Sequence, residues 1–126
     1  MPHKFSFERL EVWQDARRLA NMIYEHTKNF PDHERFGLTN QMRRAAISVS
    51  SNIAEGSSRI STKDQAHFYH MAFSSLMELL NQIIISSDLK YLNELSEEDF
   101  RTQIDKVANK INALRKSAMN KQNSNA

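Results

Sequence analysis

Apolar side chains recur at three- and four-residue steps in four separate stretches of this chain, the spacing of a helix with one buried face. In the first, Val12, Trp13, Ala16, Leu19, Ala20, Ile23 and Tyr24 share a side, while Asp15, Arg17, Arg18, Asn21 and Glu25 fall opposite. Pro31 closes it, because the residue before a proline is pushed out of helical geometry. A second helix runs from Thr39, the predicted N-cap, through Met42, Ala45, Ala46, Val49 and Ile53 to a stop at Gly56, Ser57 and Ser58. Ser61 or Thr62 opens a third, with Asp64 placed after Ser61 as in a capping box, and it is predicted to reach about Asp88. Ser96 caps the fourth, in which Phe100, Ile104, Val107, Ile111, Leu114 and Ala118 alternate steps of four and three. Four such helices with short connections predict an all-α fold, an antiparallel up-down-up-down four-helix bundle over residues 1–119 with a disordered polar tail at 120–126.

Two of the helices depart from the ordinary pattern. The second, "QMRRAAISVSSNIAEG", turns Ala, Ser, Asn and Gly inward where Leu or Ile is usual. Small side chains let two backbones come close, and each polar atom buried between them needs a partner or costs about 1–3 kcal/mol. The third carries apolar residues on two faces: Phe68, Met71, Ala72, Leu76, Leu79 and Ile83 on one, Tyr69, Phe73, Leu80 and Ile84 on the other. That is more apolar surface than a single bundle seam covers. Together they predict subunits packed side by side, with Ala45, Ala46, Val49, Tyr69 and Phe73 at the oligomer interface. Asn52 and Glu55 are predicted to form a structural polar network near the end of the second helix, with Glu55 as a capping group or the partner of an Arg that holds the helix–loop junction.

Composition narrows the chemistry. Two Gly, two Pro and no Cys leave no material for a phosphate-binding Gly loop, a disulfide scaffold or a Cys-based zinc module. No apolar run is long enough to span a membrane, and the N-terminal residues lack the apolar stretch of a signal peptide, so a cytoplasmic protein with no membrane partner is expected. His67 and His70 share a helix side but lack further metal ligands in a known pattern, and no Ser sits in a nucleophile motif. No catalytic residue, metal, cofactor or small-molecule substrate is therefore expected. Trp13, Tyr24, Tyr69 and Phe73, at helical spacing, read as core or interface.

Charge is unevenly placed. Residues 1–63 hold ten Lys and Arg against seven acids, residues 64–99 one against seven, and residues 100–126 six against one. Arg17, Arg18, Arg43, Arg44, Arg59 and Lys63 are the candidates for nucleic-acid binding, since repetition around an oligomer would turn them into a dense positive band. The alternative is a protein–protein adaptor that displays the acidic third-helix region. No helix-turn-helix or aromatic RNA-binding motif points to base-specific reading.

The stretches "FERLEVWQDARRLANMIYEHT", "FPDHERFGLTNQMRRAAISVSSNIAEGSSR" and "FYHMAFSSLMELLNQIIIS" resemble bacterial four-helix bundle proteins first noticed as products of intervening sequences in large-subunit ribosomal RNA genes. The similarity runs from Phe7 to about Tyr91 and is most specific between Gln41 and Gly56. The resemblance implies a ring, commonly a homopentamer with a central channel, and no catalytic activity. It also implies kinship in fold with the accessory protein of diversity-generating retroelements, a basic pentamer that works with a reverse transcriptase and RNA. RNA or a nucleoprotein is then the expected partner.

Overall fold

The structure, a computed structural model, describes residues 2–124. It is all-α, with no strand among the described residues. After a 3-10 turn at Ser6–Arg9 come α1 (Glu11–Thr27), a second 3-10 turn (Asp32–Glu34), α2 (Leu38–Ser58), α3 (Thr62–Asp88) and α4 (Glu94–Ser124). The four helices enclose one core in which Leu19, Ile23, Met42, Ile53, Leu76, Leu79, Ile83, Phe100 and Ile111 are fully buried. The α2–α3 and α3–α4 contacts are the most extensive, and α1 packs against α2 and α4.

Helix ends differ from the sequence expectation where capping comes from elsewhere. Thr39 is not the N-cap of α2; it lies within the helix and is buried. The Leu38 amide donates instead to Glu34 Oε1 at 3.3 Å, and Glu34 Oε2 accepts from the Tyr91 hydroxyl at 3.1 Å, which ties the α1–α2 connection to the α3–α4 turn. Ser96 is likewise inside α4, and Asn93 Oδ1 accepts its amide at 2.8 Å in the capping position. Ser61 does cap α3, accepting the Asp64 amide at 3.2 Å. α3 ends through a left-handed residue, Lys90 (φ 67°), with the Tyr91 amide donating to Ser86 O at 2.9 Å and Lys90 N–H to Ser87 O at 3.0 Å. α4 stays helical to Ser124, through most of the stretch read as a tail, and residues 125–126 lie outside those described.

The small residues of α2 serve a contact inside the chain. Gly56 meets the ring of Tyr69 so closely that an added Cβ would lie 2.7 Å from Cε1, and the Ser48 and Ser75 hydroxyls hydrogen-bond across the seam at 2.8 Å. Ala45, Ala46, Val49 and Tyr69 are all buried within this one protomer. Each of these four side chains therefore packs mainly against its own chain. Phe73 is half-buried, with the Arg115 guanidinium 5.5 Å from its ring centroid. The second apolar face of α3 stays partly open at Ile84, as do Met71 and Ile85.

Candidate functional site

The six basic residues occupy three places. Arg43 leaves α2 toward α1, where its Nε donates to Thr27 Oγ1 at 2.9 Å and Nη2 to the Tyr24 carbonyl at 3.4 Å. Its guanidinium also lies 4.6 Å from the centroid of the Tyr24 ring, a cation–π contact. Thr27 Oγ1 donates onward to Ile23 O at 2.7 Å, so the acceptor that orients Arg43 is itself fixed. The next residue, Arg44, is exposed. It borders a groove of about 500 Å³ with Tyr24, Asn40 and Ile47, and one of about 410 Å³ with Gln41, Ser48 and Glu78. Arg17 is 5.5 Å from the Trp13 ring centroid, and seven residues separate it from Tyr24, so two helical turns bring it onto the same flank of α1.

The other three stand apart from that flank. Arg18 donates to Asp15 Oδ1 at 3.1 Å, on the side of α1 that meets α4. Arg59 ends α2, about 22 Å along the helix axis from Arg44 at the usual rise per residue. There it pairs with Glu55 at 3.1 Å and covers the Phe68 ring at 4.5 Å. Lys63 is exposed in the first turn of α3. Arg17, Arg43 and Arg44 thus make one basic flank, and Arg59 with Lys63 a second at the far end of α2.

Asn52 and Glu55 do not join. Asn52 Nδ2 donates to Ser48 O at 2.9 Å and Ser48 Oγ at 3.1 Å, extending the hydroxyl pair with Ser75. Glu55 is exposed and engaged by Arg59 one turn on in the same helix. The polar network at the α2–α3 seam is Asn52–Ser48–Ser75, and Glu55 belongs to the surface.

A second polar cluster is not evident from the periodicity, which puts Asp15 on the solvent side of α1. Asp15 is buried, and its carboxylate is held by Arg18 and by Lys110 of α4, which also reaches Glu11. The buried Gln103 amide donates to the Asp15 carbonyl at 2.9 Å. The signal is present in the spacing, since Asp15 lies three residues after Val12 and four before Leu19, both core. The bonds to Asp15, then to Glu11, push the Lys110 ammonium above its ordinary pKa. Burial raises the Tyr69 hydroxyl, and burial with the hydrogen bond to Glu34 raises Tyr91.

Among the described residues no cluster of His, Cys, Asp and Glu is grouped to hold a metal, and no helix is long and apolar enough to cross a membrane. No curated protein is detectably similar in sequence. Among solved structures, the chain is similar to a crystal structure of a protein of unknown function from the S23 ribosomal protein family of Bacteroides thetaiotaomicron. The TM-score is 0.75 at 18% identity, over 83% of this chain and 98% of that one, a likeness of fold. Residues 8–113 match the family model described as 23S rRNA-intervening sequence protein. Because that match takes in all of α1, α2 and α3 and most of α4, the chain belongs to the 23S rRNA-intervening sequence protein family.

Proposed function

We propose that this chain is a non-enzymatic, self-associating helical-bundle protein that holds RNA, alone or in a nucleoprotein, against the basic flank of α1 and α2. The observation that carries the reading is Arg43, oriented by Thr27 and Tyr24 beside the exposed Arg44. A guanidinium fixed in advance loses little side-chain freedom when it meets a phosphate, and Arg44 and Arg17 add charge on the same side. RNA is favoured over other polyanions by the fold kinship with the retroelement accessory protein that the sequence resemblance implies. An antiparallel up-down-up-down order belongs to the same reading. Its support is the pairing of Glu11 with Lys110 but His26 with Phe100, and of Ser48 with Ser75 but Met42 with Ser86. Self-association, with a pentamer as the form the family resemblance suggests, draws support from Ile47, Met71, Ile84 and Ile85, which stay apolar and exposed on α2 and α3.

The test is a salt-titrated binding measurement with single-stranded RNA and duplex DNA, on the parent and on Arg43→Ala with Arg44→Ala. RNA affinity is expected to fall as salt rises, and the double variant to flatten the log–log slope by roughly 0.7 for each phosphate no longer engaged. Absence of binding at low salt defeats the proposal. A second reading, a protein adaptor, is favoured by Leu89 and Leu95, exposed beside Asp88 and Glu94 at the α3–α4 turn. It predicts that a protein partner is lost on Leu95→Asp while RNA binding is nil throughout.

A further inference from the structure

Of the three tyrosines, Tyr24 alone is exposed, at 41%, although it follows the fully buried Ile23 on α1. Its ring borders the groove between α1 and α2, and the Arg43 guanidinium lies over that ring at 4.6 Å from the centroid. Two bonds fix the guanidinium there, from Nε to Thr27 Oγ1 at 2.9 Å and from Nη2 to the Tyr24 carbonyl at 3.4 Å. Neither bond uses the Tyr24 side chain. Ring and guanidinium together form one platform in the groove.

The other residues of the groove suit a flat guest with a polar edge. Ile47, 45% exposed, supplies an apolar wall, Asn40 an amide with two donors and an acceptor, and Arg44 a second cation. Neither Asp nor Glu lines it. A phosphate alone gives no reason for an open aromatic ring and an isoleucine beside two arginines. A nucleobase does, because it stacks on aromatic rings and on guanidinium planes alike.

We propose that this groove seats one unpaired nucleobase, stacked on the Tyr24–Arg43 platform with its edge toward Asn40, while the adjoining phosphate meets Arg44. The site rests on the reading that RNA binds this flank, and it adds which kind of RNA. An unpaired strand is required, since a base within a duplex has both faces covered by its neighbours and only a splayed-out base can stack on a side chain. The site is tolerant of sequence, because every base has a π-face.

The experiment titrates the full chain, over a salt series, against three labelled oligomers of equal length: a single-stranded RNA of mixed sequence, the same strand paired in a duplex, and an abasic ribose-phosphate strand. The abasic strand keeps the charge and removes the bases. The normal single strand is expected to bind about tenfold tighter than the abasic one at each salt concentration. Tyr24→Leu, at an exposed position and with a good helix former, keeps the bonds that hold Arg43. It is expected to weaken the normal single strand about tenfold and to leave the abasic strand and the duplex unchanged. Equal affinity for the normal and abasic strands, an unchanged single-strand affinity in Tyr24→Leu, or a loss shared equally by all three oligomers overturns the base site while phosphate binding stands. If none of the three binds at low salt, the RNA reading fails with it.

Discussion

Gly56 is flexible by nature, but its backbone here is ordinary helix; what it supplies is the missing Cβ. A methyl at that point would meet Tyr69 Cε1 at 2.7 Å and Cδ1 at 2.9 Å, inside contact distance of a buried ring. Gly56→Ala gains helix propensity, about 1 kcal/mol, yet overpacking of this kind costs about 1–3 kcal/mol. A net loss of stability is expected, read as a lower denaturation midpoint, together with a changed Tyr69 side-chain NMR environment. Read from sequence, Gly56 is a helix stop, because a glycine near the end of a periodic stretch usually is one. Only the ring of Tyr69, thirteen residues on, reveals the other reason for its presence.

At the scale of elements, the small residues of α2 line a seam with α3 inside the chain. Ala45, Ser48, Asn52 and Gly56 recur at three- and four-residue steps along the side that Ser75 and Tyr69 meet. Ala45→Leu is therefore expected to push α2 from α3 and to lower stability by about 1–3 kcal/mol with protomer mass unaffected. Melting and sedimentation of one sample check it; a changed mass at undiminished stability would return Ala45 to a subunit contact. The periodicity exposes the helices and the small-residue stripe because both are local patterns. It is silent on what the stripe touches, since a close approach looks the same in sequence whether the other backbone belongs to this chain or to another. Thr39 and Ser96 resemble caps in sequence but are not, for a related reason: Glu34 and Asn93 take those places through turn geometry that residue preference alone does not rank.

At the scale of the whole molecule, three groups among the described residues bind protons more tightly in the folded state. Lys110 is raised from its ordinary 10.5, and Tyr69 and Tyr91 from 10.0. A raised folded value means the associated stability is fully present below the unfolded value and is lost as pH rises through the folded one. Melting temperature is accordingly expected to hold steady from neutrality to about pH 9.5 and to fall above about pH 10, each with its origin in these groups. Asp15→Asn, which removes the main partner of Lys110, should lower the neutral melting temperature and soften the alkaline fall. An unchanged alkaline limb in that variant counts against the Asp15–Lys110 contact.

The sequence by itself determined the number of helices, their approximate extents and the apolar face of each, since helix periodicity depends on residues three and four apart. It also exposed the basic residues as a set. The tertiary structure decided how that set divides, with Arg43 and Arg44 beside Tyr24 and Arg59 far along α2. It likewise decided that Asp15 is buried against Lys110, and that Ala45, Ala46, Val49 and Tyr69 are enclosed by their own chain. Each of those depends on residues distant in sequence meeting in space, where burial and charge are set by the neighbour and not by the local pattern.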